Sequence, residues 1–249
     1  MSSVAAAVRP ARERSSDPPL YWFMTLLFLA TAVAGFAPSS AAILSGAIPV
    51  PPLVVHVHAA CMLTWLILLV TQASLVRGGR LALHRTLGTC SFVAAAALLT
   101  ALVTVTTVRY GDLTGAGFGP LASNILLLQI RSILLFPAFY RWAIAARHTD
   151  PATHKRAMLF ATLVLLDAAI ARMSWLPGTN SANTYDGVHL WLLALLVPAV
   201  VADLVRLGKV HRVYVVGLVL LAPFFVATHF AWNSPAWHAF AANLMGFGG

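Results

Sequence analysis

The sequence has very little charge. Of its 249 residues, 16 are Lys or Arg and 7 are Asp or Glu, so charged residues make up 9% of the chain, against about 25% in a soluble domain. Hydrophobic residues make up 60%. This composition excludes an ordinary soluble domain and a disordered chain. It also argues against a nucleic-acid partner, because such proteins gather Lys and Arg on a water-exposed face.

Cysteine is also scarce. The two cysteines, Cys61 and Cys90, fall near opposite ends of two consecutive apolar segments, and there is no Cys-x-x-Cys pair. A helical rise of about 1.5 Å per residue places them at different depths, too far apart for a disulfide, which needs Cα atoms within about 7 Å. We therefore expect neither a disulfide nor a cysteine zinc site.

Long apolar runs dominate the chain instead. A helix needs about 20 apolar residues to cross a bilayer. Seven segments meet this requirement, and most of them end at Pro, Gly or charged residues: 21–44, 53–76, 87–108, 121–140, 157–176, 188–205 and 213–230. The sequence thus predicts an all-α polytopic membrane bundle of seven transmembrane helices in the lipid bilayer, spanning residues 20–231.

The two ends of the chain have different compositions from the bundle. Residues 1–19 are polar and predict a disordered cytoplasmic tail. Residues 232–249 carry Trp237 and Phe240 and predict a segment at the outer interface. Ala32-Val33-Ala34-Gly35 resembles a signal cleavage site, so a cleaved signal is the alternative for the first segment. The apolar run continues to Leu44, which favours an uncleaved helix.

The basic residues indicate the orientation. With the N-terminus in the cytoplasm, thirteen of the 16 basic residues fall on the cytoplasmic side, as the positive-inside rule requires. Only Arg109 then lies outside, and Arg131 and Arg172 lie within spans. We therefore predict a multi-pass protein of the cell (inner) membrane with a cytoplasmic N-terminus and an external C-terminus.

Two opposite charges fall in the middle of neighbouring segments. Arg131 lies in the fourth segment and Asp167 in the fifth, and antiparallel packing would bring them to one depth. Because unpaired charge in a bilayer is costly, we expect an intramembrane ion pair. Arg172 follows His154 by five helical turns, which predicts a shared face if the helix is continuous.

The histidines fall into two layers. His58 and His189 begin the second and sixth segments on the outer side, and His84 and His154 begin the third and fifth on the inner side, with His211 as a substitute. Facing histidines in a helix bundle suit haem b. Gly88 and Ser91, one and two turns after His84, would leave room for a flat ring. Two stacked haems would carry electrons across the membrane, the four layered histidines being the iron ligands.

Short motifs add a resemblance. His58-x-x-x-Met62 and Leu83-His84-Arg85-x-Leu87-Gly88 resemble a helix pair of the ascorbate-reducible transmembrane b-type cytochromes. Together with His154-Lys155-Arg156-Ala157-Met158, they resemble more closely a group of uncharacterised bacterial multi-pass proteins. The resemblance to the cytochromes implies haem ligation and electron transfer. The cytochromes take ligands from helices 2/4 and 3/5, whereas here the sixth helix would replace the fourth.

Two other functions stay open. A metal-dependent membrane-embedded enzyme would draw on the outer histidines His56, His58, His189 and His229, although no His-Glu-x-x-His motif occurs. A small-molecule transporter would instead use Arg131, Asp167 and Gln72, since transport sites lie near the bilayer midplane.

Overall fold

The computed structural model describes residues 18–248. Over that range the chain is 79% helix and contains no strand. The helices are α1 Pro18–Leu44, α2 Leu53–Arg77, α3 Leu81–Gly115, α4 Gly119–Ala146, α5 Pro151–Leu163, α6 Asp167–Ile170, α7 Asp186–Ala194, α8 Val197–Leu207, α9 Arg212–Ala231 and α10 Pro235–Leu244. The predicted tail lies outside the described residues, except for Pro18 and Pro19, which begin α1.

Within the described part of the chain, five helices are long and apolar enough to cross a membrane, namely α1, α2, α3, α4 and α9. A sixth crossing is possible if α7 and α8, which meet at a bend of 41°, count as one span. Large apolar side chains such as Val93, Val205 and Val219 point away from the protein, as lipid-facing positions do. The protein is therefore a multi-pass, all-helical membrane protein.

The fifth predicted segment is not one continuous helix. α5 ends at Leu163, α6 runs only from Asp167 to Ile170, and the chain is irregular from there to Tyr185. The prediction that Arg172 and His154 share a helical face needed an unbroken helix, so its premise was wrong. Arg172 instead lies over the Phe36 ring of α1, 4.6 Å from its centroid.

Side-chain hydroxyls account for the break after α5. Ser132 of α4 donates to the carbonyl oxygen of Val164 at 2.7 Å, and Thr162 donates to that of Met158 at 3.1 Å. Such side chains compete with amide donors and bend helices. The backbone then tightens, with Leu165 N–H bonded to the oxygen of Thr162. Ser132 thus stabilises a carbonyl that the apolar interior could not otherwise satisfy.

The bend between α7 and α8 has a different cause. Pro198 lies in the first turn of α8, and proline can neither donate an N–H nor fit against the carbonyl four residues earlier. Both interruptions fall inside apolar stretches, so the bundle contains two broken helical segments.

α5 and α6 form the interior of the bundle, and α1, α4 and α9 pack around them. Close approach is possible where residues are small. A Cβ on Gly35 of α1 would collide with the backbone of Ala169 in α6, and one on Gly217 of α9 would collide with the Phe160 ring of α5. Small residues commonly allow such close helix contacts in membranes.

The bundle has two polar ends. At one end, Arg212, the first residue of α9, pairs with Asp150, which caps α5, N···O 2.9 Å. At the other, His229 of α9 lies 2.7 Å from Asp186 of α7. α10 packs on α4 at this second end, where Trp237 donates to the carbonyl of Ser123. The α4–α5 and α8–α9 connections therefore share one end.

Candidate functional site

A buried charge cluster lies where α4, α6 and α7 meet. Arg131, near the middle of the 28-residue α4, forms an ion pair with Asp167, the first residue of α6. Its other terminal nitrogen lies 3.1 Å from Nε2 of His189 in α7. The Arg131 side chain is 1% exposed and that of Asp167 9%. The structure thus joins the two charges that the sequence analysis pairs, and adds His189.

Aromatic side chains surround this cluster. Phe225 of α9 stacks on His189, with ring centroids 4.0 Å apart, and lies 5.7 Å from the Arg131 guanidinium carbon. The hydroxyl of Tyr185 donates to the carbonyl oxygen of Asp167 at 3.4 Å. Among the described residues, Nε of Arg131 is buried and has no hydrogen-bond partner. The cluster therefore holds one unused donor.

A second buried ion pair, which sequence reasoning missed, lies nearer the other end. Arg156 of α5 binds Asp203 of α8 through two contacts, 2.6 Å from Nε and 2.5 Å from the terminal nitrogen Nη2. The buried hydroxyls of Tyr21 and Tyr214 neighbour this pair. In the sequence, Arg156 resembles the other basic residues of a cytoplasmic turn, so the sequence did not indicate that it is buried. The isolated Asp203 within an apolar segment was the available signal.

The outer histidines are not brought together as a facing pair. His58 is on α2, which packs against α1 and α3, whereas His189 is on α7, which packs against α6 and α9. Nε2 of His189 faces Arg131, and Nδ1 of His58 is buried without a partner among the described residues.

The inner histidines are neighbours. His84 of α3 and His154 of α5 are close enough to interact electrostatically. Nδ1 of His154 donates to the carbonyl oxygen of Ala143 at 2.8 Å, which leaves its Nε2 as a lone-pair donor. The Gln72 amide is oriented so that both its nitrogen and its oxygen form hydrogen bonds. The nitrogen donates to Nδ1 of His84, and the oxygen accepts from the N–H of Gly88. A Cβ on Gly88 would meet nothing within 4 Å.

The remaining candidate residues are scattered. Across residues 18–248, no three His, Cys, Asp or Glu side chains are placed to share a metal ion. His229 interacts with Asp186, and His211 caps α9 by accepting from the N–H of Val213 at 3.3 Å. Ser91 bonds to the hydroxyl of Tyr140 at 2.8 Å. Cys61 and Cys90 are free thiols.

Asp150 organises the start of α5 at the end of the bundle. Its carboxylate accepts from the backbone N–H and the hydroxyl of Thr153, and from Arg212. Partial burial works to raise the pKa of Asp150, but these hydrogen bonds outweigh burial and lower the pKa below its ordinary value.

No protein family model, curated protein or solved structure matches this chain. Its function is therefore inferred from its own residues and their arrangement.

Proposed function

We propose that this protein is a secondary transporter for a small molecule, with the Arg131–Asp167–His189 cluster as its coupling site. The observation that carries the proposal is the position of this cluster. Asp167 begins the short helix that follows the break in α5, and His189 belongs to the bent α7–α8 pair. Discontinuous helices that bring ionisable groups to the middle of a bundle are typical of transporter binding sites.

The free-energy cost of burying the charged groups of this cluster supports the same function. Ionisable groups within a membrane are expensive to bury and generally mark substrate, ion or proton pathways. An Arg–Asp pair needed only for stability could be replaced by apolar residues at little cost. Asp167 also lies directly after the break in α5, where the backbone can change conformation without disrupting a long helix.

We propose seven crossings, with the N-terminus in the cytoplasm and the C-terminus outside, in the cell (inner) membrane. α5, α6 and the irregular stretch after them supply the additional crossing. Asp150, before α5, contacts Arg212 at one end, and Asp186, after the irregular stretch, contacts His229 at the other. Both of these partners belong to α9 and lie near its two ends, and its 20 residues are enough to cross.

Uptake into proteoliposomes tests the transport proposal. The purified protein is reconstituted, and uptake of radiolabelled lactate, succinate, alanine, glucose and choline is measured under an imposed proton gradient. At least one of these probes should accumulate above the level in empty liposomes. The Asp167→Asn variant should lose net uptake, since Asn cannot carry the proton.

Matched variants control for general damage. Asp112→Asn removes a carboxylate from an exposed ion pair with Arg109, and His58→Ala removes a histidine outside the cluster. Both should transport at the wild-type rate. If no probe accumulates, or if Asp167→Asn matches the wild type for every probe, the protein is not a transporter of this kind.

A second candidate function is haem b binding for electron transfer, and a specific observation favours it at the inner layer. His154 donates through Nδ1 to the carbonyl oxygen of Ala143, and histidines that ligate a metal through one ring nitrogen typically donate in this way through the other. The neighbouring His84 would be the second ligand, and open space at Gly88 suits a flat ring. Nδ1 of His84 accepts a hydrogen bond from the Gln72 amide, so the ring proton is on Nε2. Iron ligation through Nε2 requires the tautomer with its proton on Nδ1. A 180° rotation of the Gln72 amide would turn its oxygen toward Nδ1 to accept that proton's hydrogen bond. When bound, haem b supplies one-electron transfer.

The outer pair fits this group poorly, because Nε2 of His189 is engaged by Arg131. A haem-binding protein would therefore hold one haem near the inner end. After haem-replete expression, the dithionite-reduced protein should show an α-band in its absorption spectrum. The His154→Ala variant should lose this band. His148→Ala, a control at an exposed neighbouring position, should retain it. A reduced spectrum without an α-band would exclude haem b.

A further inference from the structure

We infer that the substrates are small carboxylate anions, which bind Arg131 in place of Asp167 and cross the membrane together with one proton. This inference rests on the transport function proposed above and names the substrate class of the same site. It comes from the hydrogen bonding of Arg131, from the charge balance of the cluster and from the groups that line it.

The hydrogen bonding of Arg131 is incomplete. One terminal nitrogen faces Asp167 and the other faces His189, while Nε is buried without a partner among the described residues. A buried N–H without an acceptor is destabilising, because it has lost its hydrogen bonds to water. A carboxylate normally binds guanidinium through two parallel hydrogen bonds, and Arg156 binds Asp203 in this way. Arg131 therefore has a vacant donor beside the one that Asp167 uses.

The charge balance requires an anion and a proton to bind together. With Asp167 ionised, Arg131 is neutralised and cannot attract a second anion at low cost. When a proton adds to the Asp167 carboxylate, the ion pair is lost and Arg131 is left as a buried, unpaired cation. A carboxylate anion then restores neutrality by binding Nε and the terminal nitrogen that Asp167 has left. Release of the anion and the proton on the opposite side re-forms the original pair.

The other groups near Asp167 are consistent with this joint binding of a proton and an anion. Tyr185 hydrogen-bonds to its backbone oxygen, and Arg172 lies within electrostatic range. α1, which packs on α6, has no ionisable side chain except Tyr21, near its opposite end. Beyond Arg131 lies His189, with Asp186 and His229 further out. In this immediate neighbourhood Asp167 is the one carboxylate paired with Arg131, so protonating it frees that guanidinium.

The lining of the cluster favours a small anion of single charge. Arg131 offers one guanidinium, which balances one negative charge. Phe225 and Tyr185 supply aromatic surface beside it, which suits the apolar part of a short organic acid. A phosphate dianion would leave a net negative charge in an apolar interior, where such charge is costly.

The stoichiometry gives a sharp test. One anion and one proton move together, so transport carries no net charge. In proteoliposomes with an alkaline interior, lactate should accumulate about tenfold for each unit of pH difference, because each unit corresponds to about 1.4 kcal/mol. A membrane potential set with potassium and valinomycin should leave this accumulation unchanged. Both measurements use the wild-type protein and need no substitution.

Variants separate the roles of the two charged residues. Asp167→Asn should lose accumulation driven by the pH gradient but retain exchange of external labelled lactate for internal lactate, because Arg131 stays free to bind the anion. Arg131→Gln should lose both activities. Asp112→Asn should retain both. Size-exclusion chromatography in detergent identifies any variant that fails to fold.

The outcomes distinguish the inference from the proposed function. If succinate, alanine, glucose or choline accumulates through Asp167 and lactate does not, the transporter stands and the assignment to singly charged carboxylate anions is wrong. If lactate uptake follows the membrane potential, the one-to-one cotransport of anion and proton is wrong. If no probe exceeds the level in empty liposomes, both the transport function and the substrate class are wrong.

Discussion

At the scale of the residue, the two buried Arg–Asp pairs have different surroundings. Arg156 is fully engaged, since Asp203 takes two of its nitrogens and the carbonyl oxygen of Ala152 takes the third. Arg131 shares its two terminal nitrogens between Asp167 and His189 and leaves Nε unused. All three nitrogens of Arg156 form hydrogen bonds, so its pair with Asp203 suits a fixed connection between α5 and α8. The Arg131–Asp167 pair can exchange a partner, which is what a transport site requires.

Breaking the Arg156–Asp203 pair should strongly destabilise the fold. We expect Asp203→Asn to lower the free energy of unfolding by about 3–5 kcal/mol, because it leaves the Arg156 charge buried without a counterion. The exposed pair of Arg109 and Asp112 provides the control, and Asp112→Asn should cost at most about 1 kcal/mol. Thermal unfolding in detergent, followed by circular dichroism, measures both. Equal effects of the two substitutions would show that the Arg156–Asp203 pair does not stabilise the fold more than the exposed pair does.

Asp150 should make stability depend on pH in the acidic range. Its folded pKa lies below the unfolded value of about 3.9. Its contribution is therefore complete above that value and is lost as the pH falls through the lower folded pKa. At pH 7, Asp150→Ala should cost about 1 kcal/mol through loss of the cap of α5.

The comparison is made across pH by thermal unfolding of both proteins. The difference between the wild type and Asp150→Ala should be constant from pH 5 to pH 8 and should shrink below about pH 4. Asp150→Asn, which retains a capping side chain, should lose less stability at pH 7. A difference that persists undiminished at pH 2.5 would show that the carboxylate charge is not involved.

At the scale of the element, two helical breaks shape the interior. Ser132 and Thr162 draw carbonyl groups out of the α5 ladder, and Pro198 bends the α7–α8 pair. Small residues let backbones approach closely, and Gly35 of α1 allows such a contact with Ala169 of α6. The position of Asp167 therefore depends on the fit of α1 against α6.

Filling that contact should separate the two helices. Gly35→Ala places a Cβ against the backbone of Ala169, and we expect a loss of about 1–3 kcal/mol from overpacking. Gly88→Ala is the matched control, because its Cβ would meet nothing and alanine favours a helix interior by about 1 kcal/mol. The two substitutions should shift the unfolding temperature in opposite directions. A stabilised Gly35→Ala variant would contradict the close packing of α1 on α6.

At the scale of the whole molecule, the polar contacts divide into two ends. Asp150 and Arg212 meet at one end, and Asp186 and His229 meet at the other. The chain between Asp150 and Asp186 thus passes from one end of the bundle to the other, although no single helix in that stretch is long enough to cross alone.

Labelling from either side of the membrane tests this path. In a variant with Cys61→Ser and Cys90→Ser, single cysteines are introduced as Thr149→Cys and Asn180→Cys, both at exposed positions. We expect an impermeant maleimide to label Asn180→Cys in intact cells and Thr149→Cys only after lysis. Labelling of both from one side would show that the α5–α6 stretch re-enters the membrane instead of crossing it.

The sequence by itself determined the helical class, the membrane environment and the pairing of Arg131 with Asp167. Apolar length, sparse charge and the cost of burying a lone ion are local properties, so they can be deduced without a fold. The same reasoning overlooked Arg156, because a basic residue at the start of a helix looks like an orientation signal until the helices around it are known.

Only the tertiary structure decided where the helices break and which groups converge. The end of α5 at Leu163 depends on Ser132, which is distant in sequence and reaches Val164 only after α4 and α5 have packed. His189 belongs with Arg131 instead of His58 because α7 packs on α6 and α9. Hydrogen bonds between distant segments form only when those segments meet, so helical periodicity could predict the depth of each histidine but not its partner.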